Sequence, residues 1–247
     1  MDGLRWSASF VVFKRCGSCI WCSLCSNNSD HRSIFPHIGD CGNCRCACCF
    51  IRRYIMNLVV ALTGASGSYA AKAIVERSKW PVTLIASKMG KMVYEQEAGP
   101  FEELEEMVDQ VWQDGNLAAT VSSGSVPTVG MVVAPCSANT LGKVSAGIAD
   151  SLVSRSVHCH LKESRRVVLC VREAPWSPIT ARNAASFSAA GGTVMPISPP
   201  YYMGKGRMPH EISVAEMIGF YADHVLALFG QEAPQTWADV RQWGKES

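Results

Sequence analysis

Charge is scarce in this chain. Lys, Arg, Asp and Glu make up 18% of its 247 residues and the formal net charge is +2, against about 25% charged residues in an average globular domain. The basic residues form no block beyond short pairs such as Arg52-Arg53 and Arg165-Arg166, which argues against a nucleic-acid-binding surface. No run of 18 apolar residues occurs, so no transmembrane helix is expected. Both familiar phosphate-binding signatures, GxGxxG and GxxxxGK[ST], are missing. Cysteine is nearly absent from the larger part of the chain. Beyond residue 55 only Cys136, Cys159 and Cys170 occur, a usage that fits a reducing, cytoplasmic setting.

What is present divides unevenly. Residues 1–55 carry Cys16, Cys19, Cys22 and Cys25 at C-x2-C spacing, then Cys41, Cys44, Cys46, Cys48 and Cys49. Such spacing brings paired thiolates to a zinc ion or iron–sulfur cluster. No helix or strand pattern frames these cysteines, and no cysteine is followed by proline. The apolar core Val11-Val12-Phe13 is too short for a signal peptide. The expectation is a Cys-rich extension that is disordered or translated from a start placed too early, with a metal site or a targeting segment as alternatives. A well-patterned domain then runs over 56–247. Hydrophobic residues make up 48% of the chain, enough for one sizeable core.

Its first segment, Leu58-Val59-Val60-Ala61-Leu62, is short and apolar and reads as a buried strand. The turn Thr63-Gly64-Ala65-Ser66-Gly67-Ser68 follows, and then a helix over 69–76. A strand, a glycine–serine turn and a helix together aim backbone N–H groups at an anion such as a phosphate. Further strands are expected over 81–87, 129–134, 166–171 and 193–197, with helices between them. The acidic stretch 101–112 reads as helical. Ser137 stands where a helix N-cap belongs. Alternating strands and helices predict an α/β, Rossmann-like, three-layer fold with a parallel sheet. Ligands of such sheets bind at the carboxyl ends of the strands. The turn 63–68, Ser87, and the segments 135–140, 172–175 and 199–202 all fall there.

Four segments carry a resemblance: Thr63-Gly64-Ala65-Ser66-Gly67, Pro135-Cys136-Ser137-Ala138-Asn139-Thr140, Leu161-Lys162-Glu163 and Val171-Arg172-Glu173-Ala174-Pro175. In this order and spacing the chain resembles the UbiX/Pad flavin prenyltransferases, once described as aromatic acid decarboxylases, over essentially all of 56–240. The resemblance implies an FMN-binding flavoprotein that transfers a dimethylallyl group from dimethylallyl phosphate to N5 and C6 of reduced FMN, without a metal. The prenylated FMN would serve a separate decarboxylase of the UbiD type. A homo-oligomer, usually a dodecamer, is also implied. Carried over residue by residue, Gly64, Ala65, Ser66, Ser87, Ser137, Ala138, Asn139, Thr140 and Arg172 would bind FMN. Glu173 and Lys162 would serve as the acid–base pair. Tyr202, Arg155 and His224 would contact dimethylallyl phosphate, and Glu97 matches a further glutamate of the family.

The match is imperfect where the prenyl phosphate would sit. His224 replaces an arginine of the last helix and cannot grip a phosphate bidentately. Lys205 or Arg207, in a longer segment than usual, could supply the missing cation. Ser156-Val157-His158 replaces the usual Ala-Ala-Asp. The 135–140 segment is also similar to the PASANT motif of flavoprotein cysteine decarboxylases, but their clamp motif P-x-M-N-x-x-M-W is absent. Two other functions remain open at this level: an FMN-dependent oxidoreductase similar to dihydromethanopterin reductases, and a non-catalytic flavin-binding subunit.

Overall fold

A computed structural model describes residues 56–232 apart from 199, 205 and 206. The Cys-rich extension and Lys205 lie outside the described residues.

The chain alternates strands and helices in order: β1 (Asn57–Leu62), α1 (Ser68–Arg77), β2 (Val82–Ala86), α2 (Lys88–Glu97), α3 (Phe101–Glu106), β3 (Gln110–Gln113), β4 (Thr128–Cys136), α4 (Ala138–Ser145), α5 (Leu152–Lys162), β5 (Val167–Val171), α6 (Pro178–Ala189), β6 (Thr193–Val194) and α7 (Val214–Ala227). Single 3-10 turns occupy Thr120–Ser122, Tyr201–Gly204 and Pro209–Glu211. The six strands form one sheet in the order β3-β2-β1-β4-β5-β6, and each neighbouring pair is parallel.

One expectation fails. Residues 110–113 are not helical but form the edge strand β3, paired only with β2. The helix that begins at Phe101 stops at Glu106. The strand is four residues long, flanked by glutamines, and half exposed. It therefore lacks the apolar run or clean alternation that reveals a buried strand.

Residues of β1 alternate between two cores, as the period of a strand requires. Leu58, Val60 and Leu62 pack with Ile74, Tyr94, Tyr221 and Leu226 on one face. Val59 and Ala61 pack with Leu141, Leu152, Val157 and Phe187 on the other. Helices α1, α2 and α7 thus cover one side and α4, α5 and α6 the other, which makes three layers. The first three strands wind outward from β1 in one direction and the last three in the other. The switch falls between β1 and β4, where a crevice forms at the carboxyl ends.

Parallel strands also fix the direction of every helix. Each begins near the carboxyl edge of the sheet and ends near the amino edge. Helix α7 obeys this rule: Asp223, near its end, pairs with Arg77, the last residue of α1.

The segment before β4 is laced to α5. Val121 O accepts from Ser156 Oγ (2.9 Å), and Ser122 O accepts from Arg155 Nε (3.2 Å) and Cys159 Sγ (3.0 Å). Arg165, just past α5, donates to Gly124 O (2.6 Å) and Val126 O (2.7 Å). His160, buried, bridges Thr128 Oγ1 (2.8 Å) and Ser156 O (2.7 Å). A Cβ on Gly124 would lie 2.5 Å from Glu163 Oε1 and 2.9 Å from Lys162 Cε, so these two side-chain ends would have to swing aside to admit one.

Candidate functional site

A cavity of about 340 Å³ opens at the switch point, within the size range of small-ligand sites. Thr63 and Gly64 after β1, Ser87 and Met89 after β2, Asp114 after β3, and Ser137, Asn139 and Thr140 after β4 line it. Lys143 from α4 and Ser151, Val153 and Ser154 from the start of α5 complete the wall. Thr63 ties two of these strand ends together. Its hydroxyl donates to Pro135 O (2.7 Å) and accepts from Ser137 N (3.0 Å).

Four helices begin around this crevice, and their first amides decide where an anion can bind. At α1 the site is already taken: Glu97 Oε2 accepts from Gly67 N (2.9 Å) and Ser68 N (2.8 Å). Burial opposes the charge of Glu97, but hydrogen bonds from the Ser66 hydroxyl and from Ser68 and Gly67 outweigh it and hold the carboxyl below its usual range. At α5 the amides of Leu152 and Val153 are held by Asp114 O and Oδ1 (both 2.7 Å), and Ser154 N by Ser151 Oγ. At α2 and α4 the N-cap hydroxyls of Ser87 and Ser137 hold only Gly90 N (2.9 Å) and Thr140 N (3.2 Å). The amides of Lys88, Met89, Ala138 and Asn139 have no partner among the described residues. The open anion cradle is therefore at α2 and α4, not at α1 where the glycine–serine turn pointed. Gly64 and Gly90 let α2 approach so closely. A Cβ on Gly64 would fall 2.6 Å from Met89 Cβ, and one on Gly90 would fall 2.4 Å from Leu62 O.

Of the residues expected to bind FMN, Gly64, Ser87, Ser137, Asn139 and Thr140 line this one cavity. Ala65 and Ser66 stand in the turn beside it, and Ala138 begins α4. Arg172 follows β5, and its stem passes the α1 turn: a Cβ on Gly67 would lie 3.9 Å from Arg172 Cγ. Gly67 has φ 104°, a conformation that favours glycine. Glu173 lies next to Arg172 without pairing to it; its Oε1 accepts from Ala174 N (3.2 Å). Trp176 donates to Glu173 O (3.0 Å). Tyr202 is exposed in the turn beyond β6, near the same edge, and Trp176, Ile179 and Tyr201 are also exposed.

Lys162 and His224 are not brought to this edge within one chain. Lys162 ends α5 five residues before β5 begins, whereas Glu173 follows its end. The five residues of β5 put roughly 15 Å of sheet between them. Lys162 instead pairs with Glu163 (3.3 Å). His224 lies in the last turns of α7 beside Asp223, and burial lowers its pKa. Arg155 stands in the first turn of α5, held to Ser122 O. Arg207 pairs with Glu216 at the start of α7. Sequence reasoning missed Met89, Asp114, Lys143, Ser151 and Ser154. One signal was available: Lys143 falls one helical turn after Asn139 and Thr140.

A doubly wound parallel sheet with a polar crevice and open helix amides at its switch point defines a nucleotide-binding α/β protein. The Flavoprotein family model matches residues 53–219. The flavin prenyltransferase UbiX of Deinococcus radiodurans is 39% identical over 193 residues, 76% of this chain and 94% of that protein. Among solved structures, AnUbiX (PadA1) in complex with FMN and dimethylallyl pyrophosphate is 33% identical, with a TM-score of 0.67, and covers 72% of this chain and 94% of that one. A dodecameric FMN-dependent UbiX-like decarboxylase from Escherichia coli O157:H7 is 34% identical, also with a TM-score of 0.67, over 72% and 97%. The chain belongs to the flavoprotein family and, within it, to the UbiX-type flavin prenyltransferases.

Proposed function

We propose that this protein transfers a dimethylallyl group from dimethylallyl phosphate to reduced FMN, yielding prenylated FMN for a separate decarboxylase of the UbiD type. The carrying observation is the cavity, with two open helix amino termini, in a chain 39% identical to a flavin prenyltransferase. The α2 amides with Ser87 and Gly64 suit the FMN phosphate. Ser137 to Thr140 suit the ring and its carbonyls, and Arg172 adds a permanent cation. Reduced FMN supplies the nucleophilic N5 and C6.

Beside it, Glu173 and Tyr202 stand on an edge that also exposes Trp176, Ile179 and Tyr201, an apolar surface fit for an isoprenoid chain. The C–O bond to phosphate would break as N5 bonds to that carbon, and C6 would add to the prenyl double bond, its proton passing to the neighbouring alkene carbon. Glu173 handles the proton released by the flavin, and phosphate departs with the bridging oxygen. Lys162 and His224 lie at the opposite edge of the sheet, so they serve this site only from a neighbouring copy. The dodecameric relative supports such an assembly. His224, whose pKa burial lowers, is a weaker phosphate ligand than arginine.

The test uses the full chain with reduced FMN and dimethylallyl phosphate under anaerobic conditions. Mass spectrometry should find a flavin heavier by one prenyl group. A protein that retains FMN yet forms no such species overturns the reading.

A further inference from the structure

Lys143 is the one cation on the described wall of the cavity, and Asp114 the one anion. The two charges are not equivalent. Asp114 is spent on the α5 amino terminus, where Oδ1 accepts from Val153 N at 2.7 Å. Lys143 holds only Asp150, at 2.7 Å from Oδ2. Asp150 is about half exposed and Lys143 about one-third exposed. An ion pair of that exposure is weak and exchangeable. Lys143 is also placed for a ligand. It projects from α4 one turn beyond Asn139 and Thr140, on the face they share. The open α2 amides that suit a phosphate follow β2, whereas α4 follows β4, so the two strand ends are two inter-strand steps, or about 10 Å, apart. A cofactor anchored at α2 therefore turns its ring, not its phosphate, toward α4.

We propose that Lys143 is a flavin-facing cation that exchanges Asp150 for the bound ring and favours its reduced, anionic form over the oxidised one. Charge near the ring is one of the levers by which a protein tunes a flavin. Reduced flavin gains negative charge over N1 and the C2 carbonyl, which oxidised flavin lacks. This inference rests on the FMN-binding reading of the cavity. It adds a residue outside the four segments that carry the family resemblance.

The test compares the full chain with Lys143→Met, Lys143→Arg and Asp150→Asn. FMN dissociation constants are measured by fluorescence, and reduction potentials against a reference dye. Lys143→Met should weaken binding of reduced FMN about tenfold more than that of oxidised FMN, which for a two-electron couple lowers the potential by ~30 mV. Lys143→Arg should restore the wild-type potential. Asp150→Asn should leave the potential in place or raise it, because it frees Lys143. If Lys143→Met and Asp150→Asn act alike, Lys143 is only a partner of Asp150 and the proposal is overturned. An unmoved potential in Lys143→Met overturns it too. Failure of the wild-type chain to bind FMN would instead sink the reading of the cavity.

Discussion

Glu97 closes the amino terminus of α1, with one carboxylate oxygen 2.9 Å from the Gly67 amide and 2.8 Å from the Ser68 amide. The residue that caps the glycine–serine turn comes from the far end of α2. Glu97→Ala should lower stability by about 1 kcal/mol, as loss of a helix cap does, and Glu97→Gln by less. The folded-state pKa of Glu97 lies below its usual value. Its contribution is therefore complete above the ordinary carboxylate range and fades as pH falls through the lower folded value. Denaturant titrations of wild type and Glu97→Gln should converge in acid.

Gly90 tests the fit of α2 against β1. Alanine ordinarily favours a helix over glycine by about 1 kcal/mol. Here its Cβ would fall 2.4 Å from Leu62 O, a backbone atom. Gly90→Ala should therefore destabilise by about 1–3 kcal/mol, as overpacking does. It should also weaken FMN binding, since α2 carries the open amides. Thermal melts and an FMN titration read both effects.

His160 gives a pH signature of the opposite edge. Burial lowers its pKa, and Arg165 adds to the effect. An unfolded histidine takes up its proton near pH 6.5, before the folded one does. Stability should decline as pH falls through that value. His160→Gln should flatten the decline in pH-dependent melts, leaving the smaller share expected from His224, whose pKa burial also lowers.

The sharing of one site between copies can be tested by mixing. Lys162→Ala and Glu173→Gln should each reduce prenyl transfer by about 10²–10⁴-fold, the usual worth of a general acid or base. Subunits of the two variants, exchanged with one another, should regain activity, because mixed assemblies contain sites with both wild-type residues. If the mixture stays as inactive as its components, Lys162 and Glu173 do not meet across copies.

Much of this architecture was legible in the sequence. Buried strands such as 58–62 and 167–171 are unbroken apolar runs, and Ser137 marks a helix start that the structure reproduces as an N-cap; Ser87, expected only at a strand end, is an N-cap as well. The edge strand at 110–113 was not legible, because a strand paired on one side and half exposed needs no apolar pattern. The motif resemblance names Lys162 and Glu173 together, eleven positions apart, although the strand expected over 166–171 runs between them and sets them at opposite edges of the sheet. Asp114 and Lys143 escaped notice. Asp114 reaches the cavity through its hydrogen bonds to the start of α5, which no local pattern encodes, whereas Lys143 shares a helical face with Asn139 and Thr140. The glycine–serine pattern of 63–68 marks a turn, yet the occupant of its amides comes from Glu97, about thirty residues away.

The lacing of residues 121–126 to α5 has a consequence for how this protein can vary. Carbonyls at 121, 122, 124 and 126 are each met by a side chain of α5 or by Arg165. Ser123 and Ser125, whose side chains face solvent, can change identity at little cost. Adding or deleting one residue would slip every acceptor past its donor at once. The spelling of this stretch is therefore freer than its count.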